Sequence, residues 1–203
     1  IKNKKKNGDF YWVQGVISPI RNDVGELTHF LAIQEDISDK RRAEERVQFL
    51  ATYDSLTGLL NRERFIEFLA EGVAASRHGV LILTDIDEFK IMNDVYGHNM
   101  ADEFLKRLGE VIQETVVSLI HPQKCVVGRL GEDEIAVAIP GKNGKEGLHI
   151  AEEIRKRVEH LTLSTEAIHT TLSVGIVDYP THGSTTTELL SHVDAAVFRA
   201  KSL

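Results

Sequence analysis

The chain has a single cysteine, Cys125, one tryptophan and four prolines among its 203 residues. One thiol excludes an intrachain disulfide framework and a cysteine-based metal cluster, and its apolar neighbours predict a buried structural group. No apolar run reaches the roughly 18 residues that a membrane-crossing helix requires. No secretory leader opens the sequence either. These residues are therefore expected to be cytoplasmic, and a membrane anchor would require segments upstream of residue 1. Basic residues are in the minority, 24 Lys and Arg against 31 Asp and Glu, for a formal net charge of -7. That balance argues against a nonspecific nucleic-acid partner, which needs a basic face. One local exception, Lys2-Asn3-Lys4-Lys5-Lys6, reads as a solvated turn between strands, with a phosphate contact as the alternative. The histidines are scattered without metal-ligand spacing.

What is present, 42% hydrophobic and 27% charged residues, fits a soluble protein with a real core. The length fits one domain plus a fragment, or two small domains. Residues 8–37 alternate and turn like a long antiparallel hairpin, broken by the polar stretch Arg21 to Glu26. A hairpin of that size cannot build a core alone, so it should belong to a larger sheet. From Asp39 to residue 51 the chain is highly charged, and Ala43, Val47 and Leu50 form one narrow apolar stripe. This predicts a linker helix, which pairs in a dimer or simply lies in solvent; the stripe is too short for a sustained coiled coil.

Residues 52–203 read as one α/β (α+β) domain. Helical spacing runs from Asn61 to Ala75 (Phe65, Phe68, Leu69, Val73), and Val80 to Leu83 is a buried strand. A helix follows over 101–119 with Phe104, Leu105, Leu108, Val111, Ile112 and Val116 inward. Strands over Lys124–Leu130 and Ile135–Ile139 flank a polar tip. Another helix turns Leu148, Ala151, Ile154 and Val158 inward, then come a strand from Ile168 to Val177 and a last helix with Leu189, Leu190, Val193, Val197 and Ala200. This order is the ferredoxin-like βαββαβ arrangement.

Two acidic clusters stand out. Asp85 and Asp87 follow a buried strand, and Asp133 and Glu134 occupy the hairpin tip. In a βαββαβ sheet the first strand lies beside the hairpin, so the clusters converge on one edge. Converging carboxylates repel, and a hard divalent cation such as Mg²⁺ relieves that repulsion. The competing reading makes Asp85 and Asp87 caps of the next helix.

The blocks Asp54-Ser55-Leu56-Thr57-Gly58-Leu59-Leu60-Asn61-Arg62, Asp85-Ile86-Asp87-Glu88-Phe89-Lys90-Ile91-Met92-Asn93-Asp94 with Tyr96-Gly97-His98, Gly131-Glu132-Asp133-Glu134-Ile135, and Asp194-Ala195-Ala196 through Lys201 together resemble the GGDEF family of diguanylate cyclases. Gly8-Asp9-Phe10-Tyr11-Trp12 through Asp36-Ile37-Ser38 resembles the C-terminal part of a PAS sensor, residues 1–38, with residues 39–51 as the signalling helix. The ligand of such a sensor is not legible here. The resemblance implies a palm of nucleotide-cyclase type. Asp85, Asp133 and the Ile86 carbonyl would hold Mg²⁺ or Mn²⁺, and Glu134 would support charge beside them. Lys90 and Lys201 would face the triphosphate, with Gly131 in the phosphate turn. Asn93 and Asp102 would read guanine, which selects GTP. Two GTP would become cyclic di-GMP between two domains face to face, in a homodimer through the sensor and linker helix.

The sequence departs from that family at Glu132, where a second glycine is usual. Its glycines let the turn approach phosphate, and some need φ > 0; a carboxylate there adds bulk and negative charge. Reduced or lost turnover is the expectation, the alternative being an inactive GTP-binding or dimerisation module that regulates a partner. Ile135 replaces phenylalanine at a core position, and Ala101 replaces glycine at a helix start. The family's inhibitory product site is expected to be absent, because Pro122-Gln123-Lys124-Cys125 stand at its positions.

Overall fold

The computed structural model of the chain describes residues 1–75, 78–120, 125–161 and 170–202. The chain forms two compact units, Ile1–Phe49 and Leu50–Leu203. In the first, β1 (Lys2–Lys4), β2 (Phe10–Arg21) and β3 (Leu27–Asp36) make an antiparallel sheet in that order. Asn22 shapes the β2–β3 turn, its Oδ1 accepting from the N–H groups of Val24 and Glu26. The basic run is only partly a turn. Lys2 to Lys4 pair with Trp12 to Phe10, and the ammonium groups of Lys2 and Lys4 lie over the Phe10 ring. Helix α1 (Ser38–Thr52) is started by the sheet itself, since Ser38 Oγ accepts from Trp12 N–H at 2.8 Å. Val13 is the one buried apolar side chain among the described residues of this unit. Val16, Ile17, Phe30, Leu31 and Ile33 are exposed, on both faces of the hairpin.

The second unit is a sheet of order β5-β6-β4-β7, antiparallel throughout. Its strands are β4 (Gly79–Ile86), β5 (Val126–Arg129), β6 (Glu134–Pro140) and β7 (Leu172–Tyr179). Every residue of β4 is buried, which is why Val80 to Leu83 read as an unbroken apolar run. Its side chains alternate between two cores. Val80, Ile82 and Ile86 pack with α3 (Phe89–Tyr96), α4 (His98–Leu119) and α5 (Gly144–Glu159). Leu81 and Leu83 pack with α2 (Arg62–Ala75) and α6 (Thr186–Ala200). This is the expected βαββαβ order, with α2 added ahead of it.

Three details differ from the sequence reading. The first crossover is two helices, broken at Gly97, whose φ of 80° ends α3 and starts α4. Leu148 is 55% exposed; the inward stripe of α5 is Gly147, Ile150, Ala151, Ile154 and Val158. Gly147 sets that rotation by lying directly on Val80, where a Cβ would come within 2.5 Å of Val80 Cγ1. The last strand extends to Tyr179 and begins, within the described residues, at Leu172, while Lys124 and Ile168 lie outside them. Ile135 is buried, as a core position should be, and Ala101, expected at a helix start, is buried early in α4, which begins at His98. No described helix is long and apolar enough to cross a membrane.

A second close approach gives a test of the α2–β5 contact. A Cβ on Gly128 would sit 2.6 Å from Phe65 Cδ2 and 2.8 Å from its Cβ. Gly128→Ala should cost about 1–3 kcal/mol of stability, read as a lower urea midpoint with an unchanged m-value.

Candidate functional site

The register of β4 with β6 sets Asp85 opposite Glu134. One residue on, Ile86 N–H donates to the Asp133 carbonyl at 3.3 Å. Asp85, Ile86, Asp133 and Glu134 therefore share one end of the sheet. The Asp85 side chain is 9% exposed, and Lys201 Nζ at the end of α6 stands 2.6 Å from its Oδ1. That oxygen is buried, and the ammonium approaches it off the hydrogen-bonding direction, so the contact is an ion pair without a well-directed bond. Burial pushes the Asp85 carboxyl up, with the Asp133 and Asp87 charges adding to it and Lys201 opposing. For Lys201, burial alone would lower the ammonium, but Asp85, Asp133 and Asp87 outweigh it and hold it above the ordinary value. Both partners move up, the acid chiefly because it is buried and the ammonium because three carboxylates surround it. Glu134 is pushed up by burial and then by Asp194, Asp85 and Asp133, with Arg62 opposing.

Such a donor set fits a hard divalent cation. Among the described residues no three His, Cys, Asp or Glu side chains are placed to hold one ion. Asp85, Asp133 and the Ile86 carbonyl offer two carboxylates and a carbonyl, the kind of partial shell Mg²⁺ accepts when waters and phosphates complete it. The buried Asp85 Oδ1 is the atom such a cation would satisfy.

Asp87 is no helix cap. Its carboxylate accepts from the hydroxyls of Thr171 (2.5 Å) and Ser173 (2.6 Å), lashing the end of β4 to β7. The N-cap of α3 is Glu88, at φ 56° and ψ 29° with no side-chain cap, so the helix opens with uncapped N–H groups. A cleft of about 940 Å³ lies beside that turn, lined by Asp87, Glu88, Ile91, Thr171, Ala200 and Lys201 among others.

The hairpin tip needs less glycine than its sequence suggests. Glu88 is the one described non-glycine residue with positive φ, and Gly131 is not among the positive-φ glycines. Glu132 thus sits without backbone strain and is exposed. Gly131 keeps room for the Glu134 carboxylate, which a Cβ there would meet at 2.6 Å from Oε2 and push aside. Arg129 clamps the tip: Nε donates to the Gly131 carbonyl (3.1 Å), and a terminal nitrogen donates to that of Glu132 (2.7 Å). Its other nitrogen meets Asp54 at 3.3 Å. Burial would raise the Asp54 carboxyl, but bonds from Thr57 and the Arg129 charge outweigh it and hold it low. Arg62 donates to the Leu130 carbonyl at 2.9 Å.

The structure thus gathers Asp85, Ile86, Asp133, Glu134 and Lys201 at the sheet end. Lys90 and Asn93 lie on α3 and Asp102 on α4; Lys90 and Asp102 are exposed, and Asn93 is half-buried. Asp54, Arg62 and Asp194 stand within the motif blocks without a role assigned from sequence, and Arg129 lies just before one of them. Their signal was that they are charged residues beside apolar runs, where burial demands partners. Of the positions expected to lack the inhibitory site, Pro122, Gln123 and Lys124 lie outside the described residues, and Cys125 is buried.

Glu134 gives a pH-dependent test. Its folded-state pKa is raised, so the neutral acid favours folding and that contribution is lost as pH rises through the folded value. Glu134→Gln should therefore raise the melting temperature of the metal-free protein at neutral pH. The gain should fade as pH falls toward 4.5, the ordinary value for this group.

Residues 51–203 match the family described as diguanylate cyclase, GGDEF domain. The diguanylate cyclase DgcM of Escherichia coli K12 is 31% identical over 204 aligned residues, covering 98% of this chain and 48% of that protein. The cyclic di-GMP phosphodiesterase PdeR of the same strain is 33% identical over 169 residues, covering 82% of this chain and 25% of its own length. Among solved structures, the coiled coil and GGDEF domain of DgcB from Caulobacter crescentus, in complex with c-di-GMP, superposes with a TM-score of 0.71 at 27% identity. It covers 82% of this chain and 88% of that one. The chain thus spans half or less of the length of these curated relatives.

Proposed function

The chain belongs to the GGDEF diguanylate cyclase family, and from that premise we propose that residues 52–203 bind GTP with a divalent cation as one half of a cyclic di-GMP-forming site, slowed by Glu132. The observation that carries this reading is the convergence of Asp85, Asp133, Glu134 and Lys201 at one end of the sheet. Asp85, Asp133 and the Ile86 carbonyl would hold Mg²⁺ or Mn²⁺. When bound, the ion supplies charge neutralisation for the phosphates and the reacting oxygens.

The residues of the chain do the rest. Lys201, already drawn to this end of the sheet, and Lys90 offer point charges to the triphosphate. The uncapped first turn of α3 presents backbone N–H groups to the same anion. Asp102 accepts from the guanine N1–H and amino group, and Asn93 contacts the same base. The 3′-hydroxyl of one GTP attacks the α-phosphorus of the other, a new P–O bond forms, and pyrophosphate leaves with loss of the hydroxyl proton. The reciprocal attack closes the ring. Because each half-site holds one nucleotide, two copies must face each other. The exposed stripe of Val47 and Leu50 on α1 supports pairing through the linker, with residues 1–38 read as the C-terminal part of a PAS sensor.

Glu132 costs charge rather than strain. An extra anion about 4 Å from a phosphate costs about 1 kcal/mol in water-like surroundings and several in a drier site. Each 1.4 kcal/mol is about tenfold in rate. Cyclic di-GMP formation from GTP and Mg²⁺ should therefore rise about tenfold or more in the Glu132→Gly variant. Equal rates in the two proteins would show that Glu132 is harmless. Tight GTP binding without turnover in either would favour a GTP-sensing module, and no GTP binding at all would sink the reading.

A further inference from the structure

The corner between α3 and α4 closes twice on one residue. Gly97 N–H donates to the Asn93 carbonyl at 2.9 Å, and His98 Nδ1 lies 3.0 Å from Asn93 Oδ1. The first bond is an ordinary helix end. The second is a side-chain contact between exposed groups that the corner does not need in order to close, and neither metal nor phosphate chemistry accounts for it. An amide oxygen carries no hydrogen, so Nδ1 holds the proton and donates.

We propose that His98 is a positioning residue that fixes which end of the Asn93 amide faces the purine; this rests on the reading above that Asn93 and Asp102 contact the base. A free, half-exposed asparagine is nearly indifferent to a half-turn of its amide, which exchanges its acceptor for its donor. With Oδ1 taken by His98, the Nδ2 amino group is the end left to present outward. On α4, Asp102 follows His98 by four residues and shares its face of the helix. His98 therefore stands between a fixed donor and a fixed acceptor. Guanine shows the complement: N1–H and the 2-amino group give to the carboxylate, and a ring or exocyclic acceptor takes from the amide. Turned the other way, the amide oxygen would meet that acceptor, and a bond would become a repulsion.

The test compares binding of GTP and ATP analogues with a methylene between the α and β phosphates, by calorimetry with Mg²⁺. The full chain is compared with His98→Leu and His98→Asn. Asparagine places an amide nitrogen close to where the imidazole has Nδ1, so it restores the donor that leucine removes. His98→Leu should lose roughly three- to tenfold in affinity for the guanine analogue, with the adenine analogue unchanged. His98→Asn should recover most of that loss, and all three proteins should melt together. Unchanged guanine affinity in His98→Leu, an equal loss for both bases, or failure of His98→Asn to rescue would each overturn the role of His98. A native chain that does not prefer guanine would overturn the base-reading pair itself, and this inference with it.

Discussion

The pairing of β4 with β6 is the constraint on which the rest depends. β4 is buried along its whole length, so it cannot slip by one residue without exchanging Val80, Ile82 and Ile86 for Leu81 and Leu83 between two different cores. That packing fixes the register, and the register fixes Asp85 across from Glu134. Carboxylates do not gather by attraction. They are held together here because apolar burial further down the strands outweighs their repulsion, and the raised carboxyls of Asp85 and Glu134 record the conflict. A binding site for a cation is in this sense a local loss that the core sustains.

The same conflict explains the neighbours. Lys201 and Arg62 bring positive charge to the acidic edge. Asp87 spends its oxygens on the hydroxyls of Thr171, just before β7, and Ser173 within it. Three acids within a few residues therefore have different work: Asp85 faces the shared edge, Asp87 fastens strands, and Glu88 takes the left-handed turn that opens α3.

Much of this was legible from the chain alone. The apolar periodicities of β4, α4 and α6 point to the core they form, because buried elements must repeat at 2 or 3.6 residues. The convergence of Asp85 with Asp133 and Glu134 followed from strand order. Other features were not legible for identifiable reasons. Leu148 has the right spacing for a core residue, but Gly147 lets α5 lie so close to Val80 that the stripe rotates by one position. The short helix α3 before Gly97 carries only Phe89 and Met92 inward, too few apolar positions to show a period. The backbone of Glu132 could not be judged from composition, since whether a turn needs positive φ depends on its hydrogen bonds, and Arg129 supplies those. Partnerships such as Arg129 with Asp54 span many residues and leave no periodic trace.

That last partnership ties distant parts of the chain to one guanidinium. Asp54 begins two residues after α1 ends, and the end of α1 is itself stitched to Asn61 through the carbonyls of Leu50 and Thr52. From there Arg129 grips the two carbonyls of the tip that carries Asp133. The chain of contacts is short, polar and has little slack. The last turn of α1 and the tip that carries Asp133 are thus joined by one series of polar contacts, separate from the apolar packing that holds the sheet beneath.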